Sequence, residues 1–139
     1  MKKNRFFATL LTFTVMAVLG QLGYAADGQK GARRLLFLTK SSGFEHSVIK
    51  RDGDRLSHTE KIMMKLGALN GFDVVCTKDA SLLNAKTLKN FDTVMLYTTG
   101  DLTKESKDGG DAMTEQNRQE LLDWVRGGGG LFDSHTATD

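Results

Sequence analysis

Four consecutive glycines, residues 127–130, divide the segment LLDWVRGGGGLFDSHTATD at residues 121–139, and this segment most constrains the fold. Ahead of the glycines, Leu121, Leu122 and Val125, with Trp124 beside them, are spaced for the apolar face of a helix. Arg126 falls in the last helical turn, where a cation suits the negative end of the macrodipole. The glycines end the helix and supply left-handed backbone angles. Leu131 and Phe132 then begin a buried strand that turns polar at Asp133, Ser134, His135, Thr136, Thr138 and Asp139. In an open α/β sheet, ligand chemistry gathers at the carboxyl ends of strands, so His135 stands where a site is expected.

The rest of the chain repeats this alternation. RRLLFLT at residues 33–39 has a continuous apolar centre, as in a strand buried on both faces of a parallel sheet. A polar loop covers residues 40–56, long enough to be functional or mobile. Ser57-His58-Thr59-Glu60 is a capping box and opens a helix whose apolar face is Ile62, Met63, Leu66 and Leu69. Asn70-Gly71 ends that helix, and FDVVCT at residues 72–77 is the second strand. A helical turn is expected over residues 85–89 and a third strand over 92–98. A second polar loop fills residues 99–113, and its charged part, residues 104–111, reads as solvated. Thr114 caps a last helix over residues 115–126, and the fourth strand covers 131–134. Strands alternating with helices predict right-handed crossover units in a parallel sheet, with a flavodoxin-like spatial order 2-1-3-4.

Residues 1–25 read as a cleaved signal peptide. Lys2, Lys3 and Arg5 form a basic start, residues 6–19 are apolar, and Gly23-Tyr24-Ala25 offers small residues to a peptidase. The apolar run is shorter than the roughly 20 residues of a spanning helix, so no stable membrane span is expected after cleavage. The expected address is therefore exported, periplasmic or extracellular. The leader takes three basic residues and no acidic one, leaving 16 basic against 17 acidic and a mature charge of about −1. No basic patch of nucleic-acid type remains, which excludes that class of partner. Cys76 is the only cysteine, so no intramolecular disulfide can form, and inside a strand it reads as a small inert hydrophobe.

Three histidines carry the candidate chemistry. His46 lies in the loop after the first strand, His58 at the first helix start, and His135 at the end of the fourth strand. Helix starts take polar residues routinely, so His58 reads as structural. His46 and His135 share one edge of a parallel sheet with Glu45, Tyr97, Thr99, Asp101, Asp133 and Asp139. Imidazoles and carboxylates gathered there suit general acid–base work or a divalent metal. Ser134 lacks the G-x-S-x-G elbow of a serine hydrolase. The four glycines follow a helix and precede a strand, the reverse of a phosphate-cradling loop. Asp52-Gly53-Asp54 lacks the further ligands of a calcium loop.

The order LLFLTKSSGFEHS, SHTEKI, GFDVVCTKD, FDTVMLYTTGDLT and LLDWVRGGGGLFDSHTATD resembles the ThuA-like (trehalose utilisation) domain family. That family is similar to the class I glutamine amidotransferase fold without its catalytic cysteine. The resemblance implies a three-layer, flavodoxin-like parallel sheet, here truncated to about four strands. It implies that residues 26–139 are the N-terminal, incomplete portion of such a domain. Gly43-Phe44-Glu45-His46 matches the family's histidine after the first strand, and residues 97–100 match its aromatic and polar strand end. His135 falls at the elbow where the amidotransferases carry cysteine, so glutaminase activity is not expected. Asp133 departs from the family's small residue, and an acid in a buried strand is costly unless paired. The implied role is carbohydrate utilisation, with glycosides or keto-sugars as ligands. His46 and His135 would then be the catalytic or metal-binding groups, and Glu45, Tyr97, Thr99 and Asp101 the ligand-binding ones. Two alternatives stand beside an enzyme: a non-catalytic sugar-binding or accessory module, and a truncated non-functional fragment.

Overall fold

The structure, a computed structural model, describes residues 31–106 and 108–134. The expected leader, His135 and Asp139 lie outside the described residues. The elements run β1 (Arg33–Leu38), α1 (His58–Asn70), β2 (Phe72–Thr77), a 3-10 turn (Ala80–Leu82), α2 (Ala85–Leu88), β3 (Thr93–Tyr97), α3 (Glu115–Arg126) and β4 (Gly130–Ser134). The four strands form one sheet in the order β2-β1-β3-β4, and every pairing is parallel. This is the flavodoxin-like order that the alternation predicts.

β1 is central because its sequence is apolar on both faces. Leu36 and Leu38 join Val94 and Leu96 of β3 in the main core, with Leu83 just after the 3-10 turn, Leu88 of α2 and Leu121 of α3 in the same cluster. Leu35 and Phe37 point to the opposite face and are also buried. Each such side chain contributes about 1.5–3 kcal/mol by leaving water. Phe37, 1% exposed, is the largest of the fully buried side chains, and truncating it to alanine should cost about 3–5 kcal/mol.

The helix starts are set by local chemistry. Ser57 Oγ accepts from the Glu60 amide while the Glu60 carboxylate accepts from the Ser57 amide, the reciprocal cap expected from S-x-x-E. Thr114 forms the same pair with Asn117. Gly71 closes α1 in the left-handed region at φ 73°. The Ala85 amide at the start of α2 donates to Glu120 of α3 at 2.7 Å, which joins the two helices on one face of the sheet.

Three packing expectations are corrected. α1 does not bury Ile62, Leu66 and Leu69, which are exposed. It buries Glu60 and Gly67 instead. A Cβ on Gly67 would lie 2.6 Å from the Phe72 carbonyl oxygen and 2.8 Å from Val74 Cγ2, so the helix backbone itself rests on β2. That close approach turns the face bearing residues 60 and 67 inward and rotates the leucines out. Leu122 of α3 is likewise exposed, while Leu121 is buried and Trp124 and Val125 pack against the core. β4 is not a buried strand: Leu131 and Phe132 are 43% and 57% exposed. Among the described residues β4 pairs only with β3, and Asp133 is exposed there, so its burial cost does not arise. Among the described residues, no helix is long and apolar enough to cross a membrane.

Candidate functional site

The loops after β1 and β3 meet at the carboxyl edge of the sheet and continue the pairing of their strands. Thr99 N donates to the Lys40 carbonyl at 3.3 Å, and Ser42 N donates to the Thr99 carbonyl at 2.9 Å. Thr99 Oγ1 donates to the Phe44 carbonyl at 2.5 Å. The loops touch through main chain: a Cβ on Gly100 would stand 3.0 Å from the Gly43 nitrogen. Gly100 is also in the left-handed region at φ 71°, so two independent constraints select glycine.

His46 is held in this seam between two aromatic rings. Phe44 meets it edge to face, with centroids 5.0 Å apart and planes at 80°. Tyr97, the last residue of β3, lies 6.4 Å away on a tilted plane. The edge-to-face contact with Phe44 is a geometry that ring quadrupoles favour.

Beneath the seam lie two lysines with their side chains withdrawn from water. Lys78 Nζ donates to the Thr39 carbonyl at 2.6 Å and to the Ile49 carbonyl at 2.8 Å. It also reaches Asp108 Oδ2 at 3.1 Å and Glu45 Oε1 at 3.6 Å. Lys40 Nζ donates to Ser106 Oγ at 2.8 Å and to the Gly110 carbonyl at 2.9 Å. Asp108 Oδ2 accepts from the Ser41 amide at 2.7 Å as well. Of the segment expected to be solvated, Lys104, Glu105, Gly109, Gly110 and Asp111 are exposed as expected, while Ser106, Asp108 and the Gly110 carbonyl turn inward to two buried ammonium groups. A cleft of about 390 Å³ opens beside Lys78, lined also by Glu45, Lys50, Arg51, Asp108 and Gly110 among others.

A second buried network anchors the loop from the α1 side. Glu60 is fully buried, and Arg51 grips both its oxygens at 2.8–3.1 Å. Thr39 Oγ1 adds a bond of 2.7 Å and the Ser57 amide one of 2.8 Å. Burial pushes the Glu60 carboxyl up, but the donors from Arg51, Ser57 and Thr39 outweigh it and hold the group below the ordinary glutamate range. The Arg51 guanidinium is correspondingly raised by its bonds to Glu60. Nearby Cys76 is half-buried, and burial with the Glu60 charge pushes its thiol up to about 11. A thiol raised in this way favours its neutral form, the direction expected of a strand cysteine.

The sequence-predicted residues therefore separate into groups. His46 and Tyr97 come together, and Glu45 is tied to Lys78. Thr99 is 5% exposed and spends its hydroxyl on the Phe44 main chain. Asp101 accepts from the Thr103 hydroxyl at 2.7 Å and its amide at 2.9 Å, bonds that lower its pKa and close a turn within its own loop. His58 lies in a different cleft, beside Ser47, Lys50, Asp52, Arg55 and Lys61. His135 lies outside the described residues. Sequence reasoning missed Phe44, Lys40, Lys78 and Asp108. A signal was present for the lysines: the pair Thr-Lys recurs at the ends of two adjacent strands, as Thr39-Lys40 and Thr77-Lys78. Among the described residues no three His, Cys, Asp or Glu side chains cluster closely enough to hold a metal ion.

One comparison with known proteins is positive. The family model for ThuA, described as trehalose utilisation, matches residues 34–139. No curated protein and no solved structure matches.

Proposed function

Because the chain belongs to the ThuA trehalose-utilisation family, we propose that it is an exported protein handling a glycoside or keto-sugar at the carboxyl edge of its sheet. The observation that supports the location is the seating of His46 between Phe44 and Tyr97, where the loops after β1 and β3 meet. An imidazole is a side chain suited to general acid–base work or to ligating a metal. In this reading His46 and His135 are the acid–base or metal-binding groups. Glu45 and Tyr97 supply polar contacts to ligand hydroxyls. Thr99 acts indirectly, by fixing the loop that carries Phe44 and His46. Asp101 shapes the neighbouring turn.

The test is calorimetric titration of the full chain with trehalose and with its keto-oxidised form, with and without zinc, followed by product analysis. Saturable binding that is lost in the His46→Ala, His135→Ala double variant supports the assignment. Unchanged binding and turnover in that variant removes it. Binding without turnover makes the chain a sugar-binding module, with the same residues holding the ligand. Export is tested separately, by the N-terminal residue of the protein recovered from its host. An N-terminus at Ala26 supports a cleaved leader, and one at Met1 or Lys2 opposes it.

A further inference from the structure

We infer that Phe44 is the stacking platform on which the apolar C–H face of a pyranose ring rests at this site. The inference rests on the carbohydrate reading above and adds the residue that recognises the sugar's shape. Phe44 is 72% exposed, more than any other large hydrophobic side chain among the described residues. An isolated exposed aromatic on a loose loop would carry no meaning. Here the main chain beneath the ring is fixed. Its carbonyl accepts from the buried Thr99 hydroxyl, Ser42 two residues earlier donates to the Thr99 carbonyl, and Ser41 donates to Asp108. The ring itself is braced against His46 at 80°.

That perpendicular geometry has a consequence. Edge-to-face contact uses either the edge of Phe44 or one of its faces. In either case His46 leaves at least one π-face of Phe44 uncovered. A flat apolar surface on hydrogen-bonded main chain, edged by the His46 imidazole with the Tyr97 ring beyond it, matches a pyranose chemically. Such a sugar presents axial C–H groups on one face and hydroxyls around its rim. Rigid aromatic side chains give large contact area at small entropic cost. The exposed residues of α1, Ile62, Leu66 and Leu69, belong to a helix flank rather than the strand ends.

Saturation-transfer NMR and calorimetry on the full chain test the assignment, with trehalose and methyl β-D-glucoside as probes. Phe44→Ala should weaken binding about tenfold, as expected for loss of one aromatic contact. Phe44→Trp should retain affinity within about threefold, since it restores the flat surface. Saturation transfer should fall on the protons of one sugar face and disappear in Phe44→Ala. Circular dichroism should be unchanged in both variants, because the ring is exposed. Wild-type binding that Phe44→Ala leaves intact would overturn the platform while the carbohydrate reading stands. Failure of the wild type to bind either sugar would overturn both.

Discussion

Lys78 Nζ stands 3.1 Å from Asp108 Oδ2, and both side chains are almost wholly withdrawn from water, at 6% and 3% exposure. This pair joins the end of β2 to the loop after β3 underneath the candidate site. A buried charge is tolerated only when it is paired and its remaining donors are satisfied. Lys78 meets that condition with two main-chain carbonyls and two carboxylates. Lys78→Met should therefore leave Asp108 uncompensated and destabilise the full chain by about 3–5 kcal/mol. Urea denaturation measures this. Adding Asp108→Asn should recover part of the loss, and a strictly additive double variant would show that the pair is not coupled.

Acid should weaken the α1 anchor. The Glu60 carboxyl is lowered in the fold from its ordinary value of 4.5. A carboxylate with a depressed folded pKa contributes stability that is complete above its unfolded value. That contribution is lost as pH falls below 4.5 and through the folded pKa. Glu60→Gln should flatten this part of the stability profile. Thermal melts of both proteins at stepped pH check the slope, and identical slopes would sink the assignment.

Gly100 should resist substitution. Its φ of 71° is left-handed, and its α-carbon faces the Gly43 main chain. Gly100→Ala should cost about 1–2 kcal/mol from backbone conformation, with a further cost as the two loops separate. Gly31 offers a control, since a Cβ there meets nothing within 4 Å. Equal midpoints for the two alanine variants in denaturant would contradict the close approach.

Cys76 should react slowly with aromatic disulfides. Its thiol is raised from 9.0 to about 11 by burial and the Glu60 charge. At pH 8 the thiolate fraction is then lower by about a hundredfold than for an unperturbed thiol. Denaturant should restore the ordinary rate. Stopped-flow labelling decides the matter, and rapid labelling of the folded chain would count against a shielded thiol.

Much of the fold was legible because its signals are local. The capping boxes at Ser57 and Thr114, the Gly71 stop and the apolar run of β1 each act within a few residues. The strand order followed from alternation and the handedness of crossovers. The packing face of α1 was not legible. Periodicity favoured Ile62, Leu66 and Leu69, but the contact is made by Gly67, whose lack of a side chain carries no hydrophobic signal. The site was half legible for a related reason. Parallel topology brings His46 and Tyr97 to one edge, and that can be read from strand positions. The roles of Lys40, Lys78 and Asp108 depend on which distant carbonyls and amides a loop must satisfy once folded. Lysines beside aspartates in a glycine-containing stretch look like a solvated loop until those partners are known.

The meeting of Gly43 with Gly100 has a consequence for assembly. The two glycines belong to loops that follow different strands, and neither loop can shape its half alone. The seam closes only when β3 docks beside β1, from which α1 and β2 separate it in sequence. The site thus depends on a long-range strand pairing, and it opens whenever that docking loosens. Its occupancy gauges whether tertiary assembly is finished. A ligand at a hundred times its Kd would hold the assembled state by about 2.7 kcal/mol and raise Tm accordingly.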